Sequence, residues 1–428
     1  MITSQSNMAQ RMGHGELIGL FLLFFIAPPA ISLPVLILYA FSQSQFSKTY
    51  YYAFFLCVAA YFACISATKN PGGDQVQYYY AYKNVPDIGF LKSLIYIYGL
   101  DYYANPYKTS ISGEFMNGVY NYIGYHLTFG YYPLFAALLT FANYMLVFLG
   151  LYKFCLTMKK PHVPIVCGVL ILAFFYLYFQ YLLQIQKQFL GQSIMMYVLG
   201  NYAYYGKMSK KLWIMTVMAV FTHASTLLFV PFLIFKPLHR RLTKTGLLLI
   251  AGAFVALIIM GPSLAGNIVS GDNTSALTYG VSRLAQSETN NDTETNALVL
   301  SQVIVIYLPL LLIVLRKLWM ERKTLSDSNA FILNVVLLLL LTVMAMFRQP
   351  MAQYRYFMML IAFMPFVYPF ITNNVQWRNR ILKGISIVMI AWFYYQFDKI
   401  VWHYAPEIDI IIKSPVLLLF GNYYTYTI

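Results

Sequence analysis

The chain has 428 residues, 60% of them hydrophobic and only 10% charged, with a mean hydropathy of +0.62. A soluble globular chain carries about 25% charged residues, so the composition excludes an ordinary soluble enzyme and defines an all-α polytopic membrane protein, read as one transmembrane domain over residues 1–428. The net charge of +15 does not mark a nucleic-acid binder, because excess Lys and Arg in cytoplasmic loops gives the same sign.

Apolar runs near 20 residues predict helices, not the alternating ten-residue strands of a barrel. Cys57, Cys64, Cys155 and Cys167 lie in or beside these runs without CxxC spacing, so reduced, buried thiols are expected.

Residues 1–15 read as a polar tail. The first span covers about 16–41, interrupted by Pro28-Pro29 and Pro34; it is too long, and too far from a small-residue cleavage site, for a removable signal peptide. The second covers about 49–67. A polar, tyrosine-rich segment follows over 68–130, with one amphipathic helical stretch at 114–126. Spans three to five cover about 131–152, 163–183 and 187–205.

The next apolar run, 212–235, has basic clusters at both ends: Lys210-Lys211 before it, and Lys236, Arg240, Arg241 and Lys244 after it. It breaks at Thr222-His223-Ala224-Ser225. The positive-inside rule asks for both ends in the cytoplasm, so two short helices that enter and return are predicted in preference to a single span. Further spans cover about 246–262, 297–315, 329–347, 356–371 and 384–401, with a polar segment at 263–296. The total is ten spans, or about 11 with the broken or re-entrant hairpin included.

One orientation accommodates this pattern. Segments 42–48, 153–162, 206–211, 236–244, 316–323 and 373–383 hold 18 of the 29 Lys and Arg, and with Asp327 just beyond them only two of the 14 acids. They are assigned to the cytoplasm. Segments 68–130, 184–188, 263–296 and 348–355 then face outside, and the plausible chemistry gathers there.

No Walker loop, HExxH, GxSxG or metal-ligand cluster occurs. The candidates are polar residues close to the membrane. Arg348 and Arg355 sit in Phe347-Arg348-Gln349-Pro350-Met351-Ala352-Gln353-Tyr354-Arg355-Tyr356, between two apolar runs. An arginine there either snorkels to headgroups or meets an anion, and its fork suits phosphate oxygens. Asp74 follows two glycines, where it could also cap a helix. Glu114 opens the stretch 114–126, Lys187 heads the fifth span, and His223 lies in the break of 212–235. Tyrosines crowd the 68–130 segment, and a flat face with a hydroxyl suits a sugar ring as well as it suits packing.

In order, these residues resemble the EpsG branch of Wzy-type polysaccharide polymerases. The resemblance is carried by Gly72-Gly73-Asp74 with Tyr78, then Glu114, Lys187-Gln188, His223-Ala224-Ser225 and Arg355-Tyr356-Phe357. Glu114 is followed by Phe115-Met116 where the family pattern has Pro-Gly, and Lys187 stands where it has arginine.

The resemblance implies a GT-C-like, lipid-donor glycosyltransferase in the bacterial inner membrane, with its site facing the periplasm. It would join undecaprenyl-diphosphate-linked oligosaccharide repeat units by inverting transfer without cofactor or metal. Asp74, Glu114 or His223 would serve as base. Arg348, Arg355 and Lys187 would bind the diphosphate, and Tyr78, Gln75, Gln188 and Tyr356 the sugars. A chain-length regulator and a flippase are the implied partners. An O-antigen ligase or a lipid-linked oligosaccharide flippase are the alternatives. Charges gathered at one face favour an enzyme over a flippase, which would line a central path with them.

Overall fold

The structure, a computed structural model, describes residues 14–104, 107–268, 293–346, 350–397, 399 and 404–425. Among these residues there is no β-strand. Among the described residues three helices are long and apolar enough to cross a membrane, α3 (Lys48–Ala67), α8 (Tyr132–Cys155) and α16 (Asp327–Ala345), or four if the bent pair His162–Ala173 and Tyr176–Leu182 is one span.

Several predicted spans are broken. The first is two helices, α1 (His14–Ile26) and α2 (Pro29–Ser42), because prolines at 28 and 29 start a new helix and cannot continue the old one. The fourth is α9 (His162–Ala173) and α10 (Tyr176–Leu182), bent by 58°. Tyr144 donates to the carbonyl of Ala173 and so satisfies the end of α9. The run predicted from 356 begins earlier, as α17 (Pro350–Ile361), and breaks before α18 (Met364–Val367). Pro365 has no N–H to offer the carbonyl four residues back. Arg355 therefore sits inside a helix and not in a polar junction ahead of one.

The 68–130 segment folds into short helices: α4 (Asp74–Lys83), α5 (Val85–Ser93), α6 (Gly99–Ala104) and α7 (Met116–Leu127). Its tyrosines divide between packing and surface. Tyr79 and Tyr82 are buried against Tyr132, and Tyr82 stacks on Phe135, whereas Tyr103 is exposed.

The centre of the molecule is α8, packed on α3 and on α11 (Gln186–Tyr205). Gly150 and Gly200 meet where α8 and α11 touch; a Cβ on Gly200 would stand 2.1 Å from the carbonyl oxygen of Gly150. Small residues allow that backbone approach, and Ser193 donates across it to Asn143 at 2.8 Å.

The broken run doubles back. After α12 (Lys210–Thr222) the chain turns at His223, continues as a 3-10 turn (Ala224–Phe229) and α13 (Val230–Ile234), and ends in a second 3-10 turn (Lys236–His239). Lys211 lies over the ring of Tyr197, and His239 hydrogen-bonds Tyr202, so both ends of the run meet the C-terminal end of α11. His223 lies at the other end, near Lys187. The remaining helices are α14 (Lys244–Ile268), α15 (Thr293–Leu315), α19 (Val375–Phe397), α20 (Glu407–Ile412) and α21 (Pro415–Phe420).

The basic segments are tied together. Arg378 donates to the carbonyls of Lys159 and Lys160, Arg241 pairs with Asp327, Lys383 donates to Phe41 and Lys153 to Tyr205. This positively charged end is opposite the cluster described next.

Candidate active site

Four parts of the chain meet at the N-terminal end of α11. Gly73 adopts a positive φ of 55° and is the N-cap of α4, which makes Asp74 the first helical residue. Asp74 stands inside the helix and is not its cap. Its carboxylate, 63% exposed, instead faces Arg355 of α17 at 3.8 Å. That separation is an ion pair too long for a hydrogen bond, so both groups keep bonding capacity for a third.

Glu114 lies in a turn two residues ahead of α7, not in the helix. It accepts from Lys187 at 2.5 Å and from the backbone N–H of Ala224 at 3.1 Å. Lys187, only 2% exposed, also donates to Tyr98 at 2.7 Å and lies over its ring. Burial works to raise the Glu114 carboxyl, but His223, Lys187 and the Ala224 N–H outweigh it and hold the group below its ordinary 4.5. Lys187 therefore meets its counter-charge inside the protein; it does not present a free ammonium to solvent.

His223 stands 3.8 Å from Glu114 through Nε2. Its Nδ1 accepts from the Ser225 N–H at 3.3 Å and lies 2.6 Å from the Ser225 hydroxyl. A backbone N–H only donates, so Nδ1 is an acceptor and the neutral ring carries its proton on Nε2, towards Glu114. Tyr120 bonds Thr222 at 3.1 Å and holds this tip against α7.

Tyr78 joins the two ion pairs. Its ring stacks on Tyr98, and Asp74, Glu114 and Arg355 all act on its hydroxyl. Burial is the main cause that pushes that hydroxyl well above its usual value. Arg355 and Lys187 are likewise within electrostatic reach of His223. Asp74, Tyr78, Glu114, Lys187, His223 and Arg355 thus form one cluster.

The other candidates lie elsewhere. Gln188 is buried and donates to the carbonyl of Arg355 at 2.6 Å. Gln75 is buried and donates to Tyr132 at 3.1 Å. Each leaves an amide oxygen without a partner among the described residues. Tyr356 packs half-buried on the hydrophobic core; successive helical residues face about 100° apart, so it does not follow Arg355. Arg348 lies outside the described residues.

Two contributors, Tyr98 and Gln192, escaped the sequence reading, and Ser225, read there only as part of the His223-Ala224-Ser225 motif, was given no role. Tyr98 grips Lys187, and only its membership of a tyrosine-rich loop could have pointed to it. Ser225 fixes the His223 ring. Gln192, four residues after Gln188, donates to the carbonyl of Met359 at 2.6 Å. Two amides one turn apart in an apolar helix were the available signal.

Fold and cluster together define a helical membrane protein with a charged site assembled from its loops and a broken helical hairpin. Residues 51–406 match the model of the EpsG family, and the chain belongs to that family. No curated protein and no solved structure matches it.

Proposed function

We propose that this protein joins lipid-diphosphate-linked oligosaccharide repeat units, with Arg355 binding the donor diphosphate and Asp74 acting as the base. Membership of the EpsG family makes it a polysaccharide-polymerase-type protein; the donor, the direction of transfer and the residue roles are our reading. The supporting observation is the Asp74–Arg355 pair, exposed and loosely bonded beside the tightly bonded pair of half-buried Glu114 and buried Lys187.

A diphosphate oxygen is a better partner for a guanidinium fork than a carboxylate at 3.8 Å. As it engages Arg355, Asp74 is freed to accept the proton of the acceptor sugar hydroxyl. That oxygen attacks the anomeric carbon, the bond to the diphosphate oxygen breaks, and the lipid diphosphate leaves with the electron pair. Arg355, with Arg348 as the second cation the sequence offers, stabilises the charge that develops on it. A single displacement inverts the anomeric centre.

Glu114 is held by three groups and His223 keeps its Nε2 proton towards Glu114, so neither is poised to take a proton. In this reading Lys187, Glu114 and His223 fix the site's shape. Tyr98, which is exposed, offers its ring to the sugars, and the buried Tyr78, Gln75 and Gln188 support the walls of the site. The site faces the periplasm, where a flippase would deliver the repeat units and a chain-length regulator would meet the product.

The test is reconstitution of the purified protein with a synthetic lipid-diphosphate-linked repeat unit, in EDTA and without nucleotide. A ladder of lipid-linked multimers with release of lipid diphosphate is expected. Movement of the intact unit across a vesicle bilayer without new linkage would overturn the reading in favour of a flippase. Transfer only to a lipid A core acceptor would make it a ligase.

A further inference from the structure

We infer that the positively charged end of the molecule carries a second binding site, a cavity for a phosphate-bearing ligand, on the face opposite the Asp74–Arg355 cluster. The cavity has a volume of about 820 Å³ and lies between the linker that follows α2, the end of α8, the start of α9 and Asn379 of α19. That volume falls in the range of small-molecule sites, roughly 300–1,000 Å³.

Its lining includes Lys48 and Lys160 and no Asp or Glu. Serines and glutamines at 43–47 supply hydroxyl and amide donors beside them. Arg378 and Lys383 stand just behind the wall, and both are occupied with backbone carbonyls. Two helices, α3 and α9, also begin at this cavity, and their N-terminal dipole ends favour an anion.

The walls are built rather than loose. His162 is buried with both ring nitrogens engaged: Nε2 lies 2.9 Å from the carbonyl of Ala40, and Nδ1 lies 3.0 Å from the Tyr51 hydroxyl. A carbonyl only accepts, so Nε2 carries a proton, and in the neutral ring that burial favours Nδ1 accepts from Tyr51. This clamp joins α2, α3 and α9. Lys160 is held at φ 50°, a left-handed conformation that costs a non-glycine residue energy, and Arg378 fixes it there through the carbonyls of Lys159 and Lys160. The Lys160 backbone is thus fixed beside a cavity whose lining holds no carboxylate to neutralise its ammonium.

Phosphate chemistry fits such a donor set, and at a membrane surface it has two sources. One is the headgroup of an anionic phospholipid, the other a free phosphate-bearing solute. The inference does not rest on the proposed glycosyl transfer, because the cavity shares no residue with that site.

The test uses the full chain in detergent. Binding of phosphatidylglycerol and of phosphatidylcholine is followed by native mass spectrometry, and the thermal midpoint is followed in inorganic phosphate. Lys160→Gly suits the left-handed backbone and removes the charge without adding strain. Lys48→Gln removes the second charge, and Lys159→Gln removes a neighbouring charge that does not line the cavity.

Preferential retention of phosphatidylglycerol, weakened about fivefold per lysine by Lys160→Gly and Lys48→Gln and unchanged by Lys159→Gln, is expected for a headgroup site. A phosphate-induced rise in midpoint with the same lysine dependence, and no lipid preference, identifies a soluble ligand and equally supports the cavity. Absence of both effects, or effects equal in all three variants, overturns it.

Discussion

At the scale of single residues, Asp74 and Arg355 on one side and Glu114 and Lys187 on the other form two pairs with opposite characters. The first is open to solvent and loosely bonded; the second is tightly bonded, with Lys187 buried and Glu114 half-buried. Arg355→Ala and Asp74→Asn should each abolish polymer in the reconstituted assay while leaving the thermal midpoint within about a degree, because an exposed pair contributes at most about 1 kcal/mol. Normal polymer from either variant would remove that residue from the chemistry.

Glu114→Gln should behave differently. It leaves the Lys187 ammonium buried and unpaired, a loss of roughly 3 kcal/mol that a melting curve reads directly. The sign with pH follows from the lowered carboxyl. Its stabilisation is fully present above its ordinary 4.5 and disappears as pH falls through the lower folded value. The gap in midpoint between parent and Glu114→Gln should therefore be constant from neutrality down to about pH 5 and close only below about pH 4. A gap that widens on acidification would contradict the ion pair.

Between elements, two contacts hold the site in register. Gln188 and Gln192 of α11 donate to the carbonyls of Arg355 and Met359 on α17, each pair one helical turn apart, so α11 sets the height at which Arg355 is presented. The other contact is the crossing of α8 and α11 at Gly150 and Gly200. Gly200→Ala should lower the thermal midpoint by about 1–3 degrees, since its methyl overlaps a backbone oxygen and forces the helices apart at a cost of about 1–3 kcal/mol. Gly252→Ala on α14, where a Cβ meets nothing, should be neutral or slightly stabilising. Equal effects of the two would mean that the crossing does not determine stability. These contacts were only half legible in the sequence. Glycines and glutamines in an apolar run signal a helix interface, but not which helix lies across it.

For the whole molecule, the hairpin decides the arrangement of charge. With both ends of the 210–239 run at the C-terminal end of α11, the basic segments gather at one end and His223 is carried to the other. In intact cells, Arg240→Cys should be labelled by a membrane-impermeant maleimide only after permeabilisation. The four native cysteines are buried and free, so they add little background. Labelling from outside would reverse or remove the hairpin.

Much of this architecture was written in the sequence itself. Hydropathy and the Lys/Arg bias marked the helical membrane class and the odd, twice-basic run, because apolar length and loop charge are properties of consecutive residues. The ordered residues Asp74, Glu114, Lys187, His223 and Arg355 were likewise visible one by one. Their partnership was not. Lys187 reads as a free cation until Glu114, 73 residues away, neutralises it, and His223 reads as a base until Ser225 fixes its ring. Such pairings depend on which segments the packing of α8, α11 and the hairpin brings together, and only the tertiary structure decides that.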